Sequence, residues 1–205
     1  MVKIKAFKGF RPPKELADKV AARPYDVLNS EEARKEAEGN PYSLLHITKP
    51  EIDLPKEIDE HAKEVYDKAV ENFKMFKEKG ILIQDKKDHL YIYAQTMNGK
   101  KQYGLVACAS VDDYLEGTIK KHELTRKEKE EDRMKHVRNT NANIEPVFFT
   151  YPHIKEIDDI IKQVVENTNP EYDFVAEDGI GHHFWVIDND TVIEKLEKLF
   201  AEKVP

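Results

Sequence analysis

Apolar side chains between Glu57 and Lys79 recur near helical spacing: Ala62, Val65, Tyr66, Ala69, Val70, Phe73, Met75 and Phe76, with Gly80 as the stop. A second amphipathic pattern predicts a helix over residues 155 to 167, closed by Asn169-Pro170. A third, capped by Asn189 or Asp190, predicts a helix running to Glu202. Elsewhere the pattern is that of strands. Ile81 to Gln84, His89 to Thr96 and Gln102 to Ser110 read as strands. Asn98-Gly99 between the last two predicts a hairpin, because a type I′ turn needs positive φ at both central residues. Tyr172 to Glu177 and His182 to Ile187 predict a second hairpin around Asp178-Gly179-Ile180-Gly181. Ile4 to Phe10 predicts a short strand, Leu44-Leu45-His46-Ile47 a buried one, and Pro146 to Tyr151 another. Shorter helices are expected at residues 14 to 22, after Ser30 as N-cap with Gly39 as stop, and from Asp112. Pro50 and Pro55 bracket a rigid linker, which marks a candidate sub-boundary near residues 50–56 within a single domain spanning 1–205.

The segment 126 to 138, with Thr125 as its expected cap, has helical propensity but almost no apolar stripe. Such a helix is either solvated or lines a polar site. The antiparallel hairpins argue for an α+β fold, a mixed and largely antiparallel sheet with flanking helices, more than for a regular βαβ series.

Composition narrows the function classes. The chain carries 33 Lys+Arg against 40 Asp+Glu, a formal net charge of −7. That balance argues against nucleic acid, since phosphate neutralisation supplies most of the affinity of a duplex-binding module. With 9 Tyr, 9 Phe and 1 Trp the chain is too aromatic for a disordered one. The single cysteine, Cys108, excludes an intramolecular disulfide and a Cys-based zinc cluster, and its place in Leu105-Val106-Ala107-Cys108-Ala109 predicts burial. No leader-like apolar segment opens the sequence, and no apolar run approaches the roughly 18 residues of a membrane span. A cytoplasmic protein without membrane attachment is expected, with no metal site. Its oligomeric state is open, a homodimer being one option through the charged helix.

No P-loop, dinucleotide glycine motif, paired-His zinc motif or nucleophile elbow occurs. The remaining candidates are polar clusters. Arg23-Pro24-Tyr25-Asp26 and Asn40-Pro41-Tyr42 suit either bidentate anion binding by a rigidly held Arg or ordinary turn chemistry. Lys120-Lys121-His122-Glu123 precedes the charged segment, in which Asp132 and His136 share a face at i, i+4. Such a pair could orient a His for acid–base work or hold a divalent cation, or it could belong to a solvated face. Asn139, Asn141 and Asn143 read equally as a loop or a strand-edge site. His182 and His183 are adjacent on a predicted strand, face opposite sides and make a poor chelating pair.

Read together, Tyr25-Asp26-Val27, Gly39-Asn40-Pro41-Tyr42-Ser43, Pro50-Glu51-Ile52-Asp53, His122-Glu123-Leu124-Thr125, Glu131-Asp132-Arg133 and Asp178-Gly179 with His182 and Trp185 resemble the family filed as domain of unknown function 1015. The resemblance runs over essentially the whole chain. It implies a longer protein of which this chain is the N-terminal part. In such proteins a following Asp-Gly-His-His-Arg motif resembles the active-site segment of free-serine kinases of the ParB/sulfiredoxin-like superfamily. Here Asp178-Gly179 is followed by Ile180-Gly181 before His182-His183, so that motif is missing. What the resemblance implies is an ATP- or ADP-dependent kinase, using Mg2+, that phosphorylates a small hydroxyl metabolite such as L-serine. In that reading Glu123 orients or deprotonates the hydroxyl and His122 assists. Arg23, Tyr25, Asp26, Asn40, Lys121, Arg133 and His136 then meet the substrate and its phosphate. The alternative is a non-enzymatic ligand-sensing or protein-interaction module, ParB-like in its regulatory role.

Overall fold

The computed structural model describes residues 1–122 and 125–205. In chain order the described residues form β1 (Ile4–Lys5), β2 (Phe10–Arg11), α1 (Ala17–Val20), α2 (Ser30–Glu36), α3 (Leu45–Thr48), α4 (Lys63–Glu78), β3 (Ile83–Gln84), β4 (Leu90–Met97), β5 (Lys100–Val106), β6 (Cys108–Ala109) and α5 (Val111–Leu115). They continue with α6 (Lys127–Thr140), α7 (Lys155–Asn167), β7 (Tyr172–Val175), β8 (Gly181–Ile187) and α8 (Asp190–Lys203). The fold is mixed α+β, and its main sheet is antiparallel. Two compact units share the chain. One comprises the described residues of Met1–Phe10, Gln84–Glu123 and Phe148–Pro205, the other those of Arg11–Ile83 and Leu124–Val147.

The first unit is built on a four-stranded sheet of order β5-β4-β8-β7. Asn98 and Gly99 adopt φ of 52° and 73°, the left-handed pair that the β4–β5 hairpin requires. β8 lies along the other edge of β4, so that Leu90 faces Ile187 and Ile92 faces Trp185. Those residues form one buried face, covered by Ile157, Ile160 and Ile161 of α7 and by Ile193, Leu196 and Phe200 of α8. The helices meet the sheet because their apolar residues recur at i, i+3 and i+4. The Asn189 side chain accepts the Val192 amide and so starts α8. His182 and His183 point to opposite faces, as alternation demands. His182 bonds the Tyr93 hydroxyl at 2.6 Å, while His183 pairs with Asp173 at 3.0 Å.

The second unit is helical. α4 buries Val65, Tyr66, Ala69, Asn72, Phe73 and Phe76. Phe73 and Phe76 pack with Val20, Ile47, Ile81 and Leu82, and a second cluster joins Leu28, Ala33, Ala37, Leu45 and Ile52. α2 opens with a capping box: Asn29 accepts the Glu31 and Glu32 amides, and Glu32 reaches back to the Asn29 amide.

Several sequence expectations are corrected. The run Leu44–Ile47 is not a strand; α3 is a single helical turn in which Lys49 N–H bonds Leu45 O. Leu45 and Ile47 enter different apolar clusters, and a short turn separates residues i and i+2 almost as a strand does, so the pattern does not distinguish them. Pro146 to Tyr151 is irregular instead of a buried strand, with Val147 and Phe148 about three-quarters exposed at 74% and 75%. Pro146 offers no N–H to a ladder, and no strand pairs with this segment among the described residues. Cys108 is exposed, in a separate two-stranded sheet where β6 pairs with β1 over only two residues. Ile4 to Phe10 is no continuous strand, since β1 ends at Lys5. Asn29, not Ser30, is the N-cap of α2, and α6 begins at Lys127 with no side-chain cap. Among the described residues no helix is long and apolar enough to cross a membrane.

Phe76 is fully buried at 0% exposure, whereas Ile83 is 54% exposed. Phe76→Ala should therefore lower the unfolding free energy of this unit by about 3–5 kcal/mol in urea titrations, against roughly 0.5 kcal/mol or less for Ile83→Ala.

Candidate functional site

Among the elements of the second unit, α6 is the one that turns a polar face inward. Asp132, His136 and Thr140, at i, i+4 and i+8, are exposed to only 7%, 4% and 7%. That spacing stacks them along one side of the helix. Each has a partner, as buried polar groups require. Thr140 Oγ1 donates to His136 O at 2.8 Å, and His136 Nε2 donates to Ile47 O at 2.8 Å. Asp132 Oδ1 accepts the Tyr66 hydroxyl at 2.7 Å and lies 3.2 Å from His61 Nδ1. Asp132 Oδ2 accepts Arg133 Nε at 3.0 Å and Nη2 at 2.6 Å. The helix ends at Asn141, whose left-handed φ of 52° suits an amide side chain better than most others.

Beside this face lies a cleft of about 420 Å³, within the size range of small-molecule sites. Tyr25, Asp26, His61, Tyr66, Lys129 and Arg133 are among the residues that line it. The Arg133 guanidinium sits 3.8 Å from the centre of the Tyr25 ring, a cation–π contact. Tyr25 is itself fixed by its amide, which donates to Glu145 Oε1 at 3.2 Å. Arg133 is thus clamped between an aromatic face and a carboxylate, with two of its nitrogens used. Also in the cleft lining, Lys49 pairs with Glu51 at 2.9 Å, and Ser30 donates to the same Glu51 oxygen at 2.8 Å.

The electrostatics follow from these contacts. Burial alone would raise the Asp132 carboxyl, but hydrogen bonds from Tyr66 and Arg133, with the charge of Arg133, hold it below the usual carboxylate range. Burial and the bond to Asp132 push the Tyr66 hydroxyl well up, so it remains a proton donor. Burial lowers the His136 imidazole against the opposing pull of its bond to Ile47 O, which keeps it neutral. Burial raises the Glu145 carboxyl, partly offset by the Tyr25 amide and by Arg133.

Of the residues singled out in the sequence, Tyr25, Asp26, Asp132, Arg133 and His136 line this one cleft. Arg23 is exposed and directs Nε to Glu36 at 2.6 Å and Nη2 to it at 2.5 Å. Asn40 is engaged in turn bonds: Oδ1 accepts the Tyr42 amide at 3.1 Å and Nδ2 donates to Lys19 O at 2.8 Å. Lys121 and His122 belong to the first unit, where Lys121 Nζ lies 4.9 Å from the centre of the Tyr114 ring. Glu123 lies outside the described residues. The sequence alone does not reveal His61, Tyr66 and Lys129 as cleft residues. Tyr66 carries the signature of an ordinary core aromatic, and nothing local links His61 to a carboxylate 71 residues away. Among the described residues no group of three or more His, Cys, Asp or Glu side chains is placed to hold a metal ion.

Asp132→Ala would strand the Tyr66 hydroxyl and the Arg133 guanidinium, and is expected to destabilise this unit by about 3–5 kcal/mol in denaturant titrations. His136 sets a pH dependence of definite sign. Its folded pKa lies below the unfolded value of roughly 6.5, so its contribution is complete above that pH. As pH falls further, the unfolded chain binds a proton that the folded chain refuses, and stability declines. His136→Gln retains a donor for Ile47 O, so the stability lost by the wild type between about pH 7 and pH 5 should shrink in this variant.

The family model described as protein of unknown function (DUF1015) matches residues 4–204. No curated protein and no solved structure matches the chain. A match over nearly the whole sequence, including the α6 network and the cleft it lines, places the chain in the DUF1015 family of proteins of unknown function.

Proposed function

We propose that the cleft of the second unit is the small-molecule site of a nucleotide-dependent phosphotransferase acting on a free hydroxyl metabolite, with L-serine as the candidate substrate. The observation that carries this reading is Arg133, whose guanidinium carbon sits 3.8 Å from the Tyr25 ring centre and which is braced through Nε and Nη2 by Asp132 in the wall of the cleft. Among the described residues no acceptor in the protein takes up its Nη1. A guanidinium oriented in advance is suited to a carboxylate or phosphate, because little conformational freedom remains to be lost on binding. Lys129 offers a second cation at the same cleft. Phosphoryl transfer is chiefly positioning and charge stabilisation, and these two residues supply both for an anionic group. Bound ATP or ADP with its Mg2+ would supply the phosphoryl group. The resemblance read from the sequence supports the same chemistry only through the family: its longer members carry a motif like that of free-serine kinases of the ParB/sulfiredoxin-like superfamily, and that motif is missing from this chain.

A ligand-sensing or protein-interaction module is the second reading. The exposure of Val111 and Leu115 on α5, at 69% and 74%, favours it. Thermal denaturation separates the two. Pyrophosphate or Mg-ATP at about a hundred times its Kd should stabilise the wild type by roughly 2.7 kcal/mol. Arg133→Lys keeps the charge but not the fork and should lose most of that gain. Phosphoserine formation from L-serine, with ATP and ADP tried separately on this chain and on any longer gene product containing it, should fall in the same variant. Absence of both a ligand shift and turnover would reject the phosphotransferase and leave the interaction module.

A further inference from the structure

His61 lies one residue before Ala62, the N-cap of α4, its amide donating to Asp59 Oδ1 at 2.9 Å. Its Nδ1 is 3.2 Å from Asp132 Oδ1, inside the buried network. The Asp132 carboxyl is held low, so it is an ionised group that accepts and cannot donate. Nδ1 must then carry the hydrogen, and in the neutral imidazole the lone pair falls on Nε2. Nε2 stands 3.7 Å from Glu60 Oε1, beyond hydrogen-bond reach, and the His61 side chain is 43% exposed in the wall of the cleft. A carboxylate that fixes the tautomer of an imidazole whose other nitrogen meets solvent is the arrangement of an oriented general base.

We propose that His61 is the proton acceptor of this cleft and that Asp132 is its positioning residue. This rests on the phosphotransfer reading above. The same carboxylate holds Arg133 through Oδ2 and His61 through Oδ1, so one rigid group sets both the anion-binding fork and the base. In the reaction the substrate hydroxyl transfers its proton to His61 Nε2 as its oxygen forms a bond to the terminal phosphorus of a nucleoside di- or triphosphate. The bridging phosphorus–oxygen bond breaks, and its electron pair leaves with the shortened nucleotide. The imidazolium so formed is stabilised by Asp132 on one side and by the neighbouring Glu60 carboxylate on the other. Asp132 thereby serves the base without touching the substrate.

Nitrogen-15 spectra of the imidazoles in this chain test the geometry directly. His61 should show the Nδ1–H tautomer, and Asp132→Asn should abolish that preference; an Nε2–H tautomer in the wild type overturns the proposal. The second arm measures phosphoserine formation by the chain, or by the longer gene product. His61→Gln should reduce kcat by about 10²–10⁴-fold, while pyrophosphate binds as in the wild type. Turnover within about threefold of wild type in His61→Gln overturns the role of His61 and leaves the phosphotransfer reading standing. A wild type that neither binds pyrophosphate nor turns over rejects both together.

Discussion

The Asp132 carboxylate constrains the second unit more than any other group. A charge 7% exposed is costly unless its lone pairs are filled, and an ionised carboxylate is an acceptor alone. Donors therefore have to come from the surrounding elements. Tyr66 supplies a hydroxyl from α4, His61 an imidazole from the turn before it, and Arg133 a guanidinium from α6 itself. The packing of α4 against α6 is consequently specified by polar bonds at one place, not by an apolar stripe along both helices. α6 has almost no such stripe to offer: its buried residues are Asp132, His136 and Thr140.

A polar interior of this kind contributes little net stability, because desolvation cancels much of what the bonds supply. The unit is held instead by the aromatic and aliphatic clusters around Phe76 and Leu45, while the polar face selects one arrangement of the cleft. This division of labour explains why α3 matters despite being one turn long. Ile47 contributes its side chain to the apolar cluster and its carbonyl to His136 Nε2, so the same residue ties core to cleft. Burial favours the neutral form of His136 there, so this side chain adds no positive charge to the network.

Much of the fold is legible in the residues themselves. Asn98-Gly99 dictates a turn that few other pairs adopt, α7 displays its apolar face at strict helical spacing, and Asn189 announces α8. Short elements are not legible: an apolar run such as Leu44–Ile47 fits a strand or a helical turn equally, and only its two separate clusters decide. Cys108 misleads for a related reason, since an apolar stretch does not disclose where a sheet ends. The i, i+4 relation of Asp132 and His136 marks a shared face in the sequence, but not that this face is turned inward. His61 is hidden altogether, because pairing across 71 residues has no local signature.

The choice of arginine at position 133 follows from the competing demands placed on it. The residue next to a buried carboxylate has to neutralise that charge, lie against the flat face of Tyr25 and still present positive charge to the cleft. An ammonium group is a single, strongly hydrated centre; bonding Asp132 would draw it away from both the ring and the opening. A planar guanidinium separates these tasks geometrically. Nε and Nη2 meet Asp132 Oδ2, the guanidinium carbon lies 3.8 Å from the Tyr25 ring centre, and Nη1 is left to neither. The carboxylate that would otherwise repel an incoming anion is thereby spent on the side chain that attracts it. On the proposed reading, this local arrangement is what lets a protein with a net charge of −7 offer a cleft to an anion.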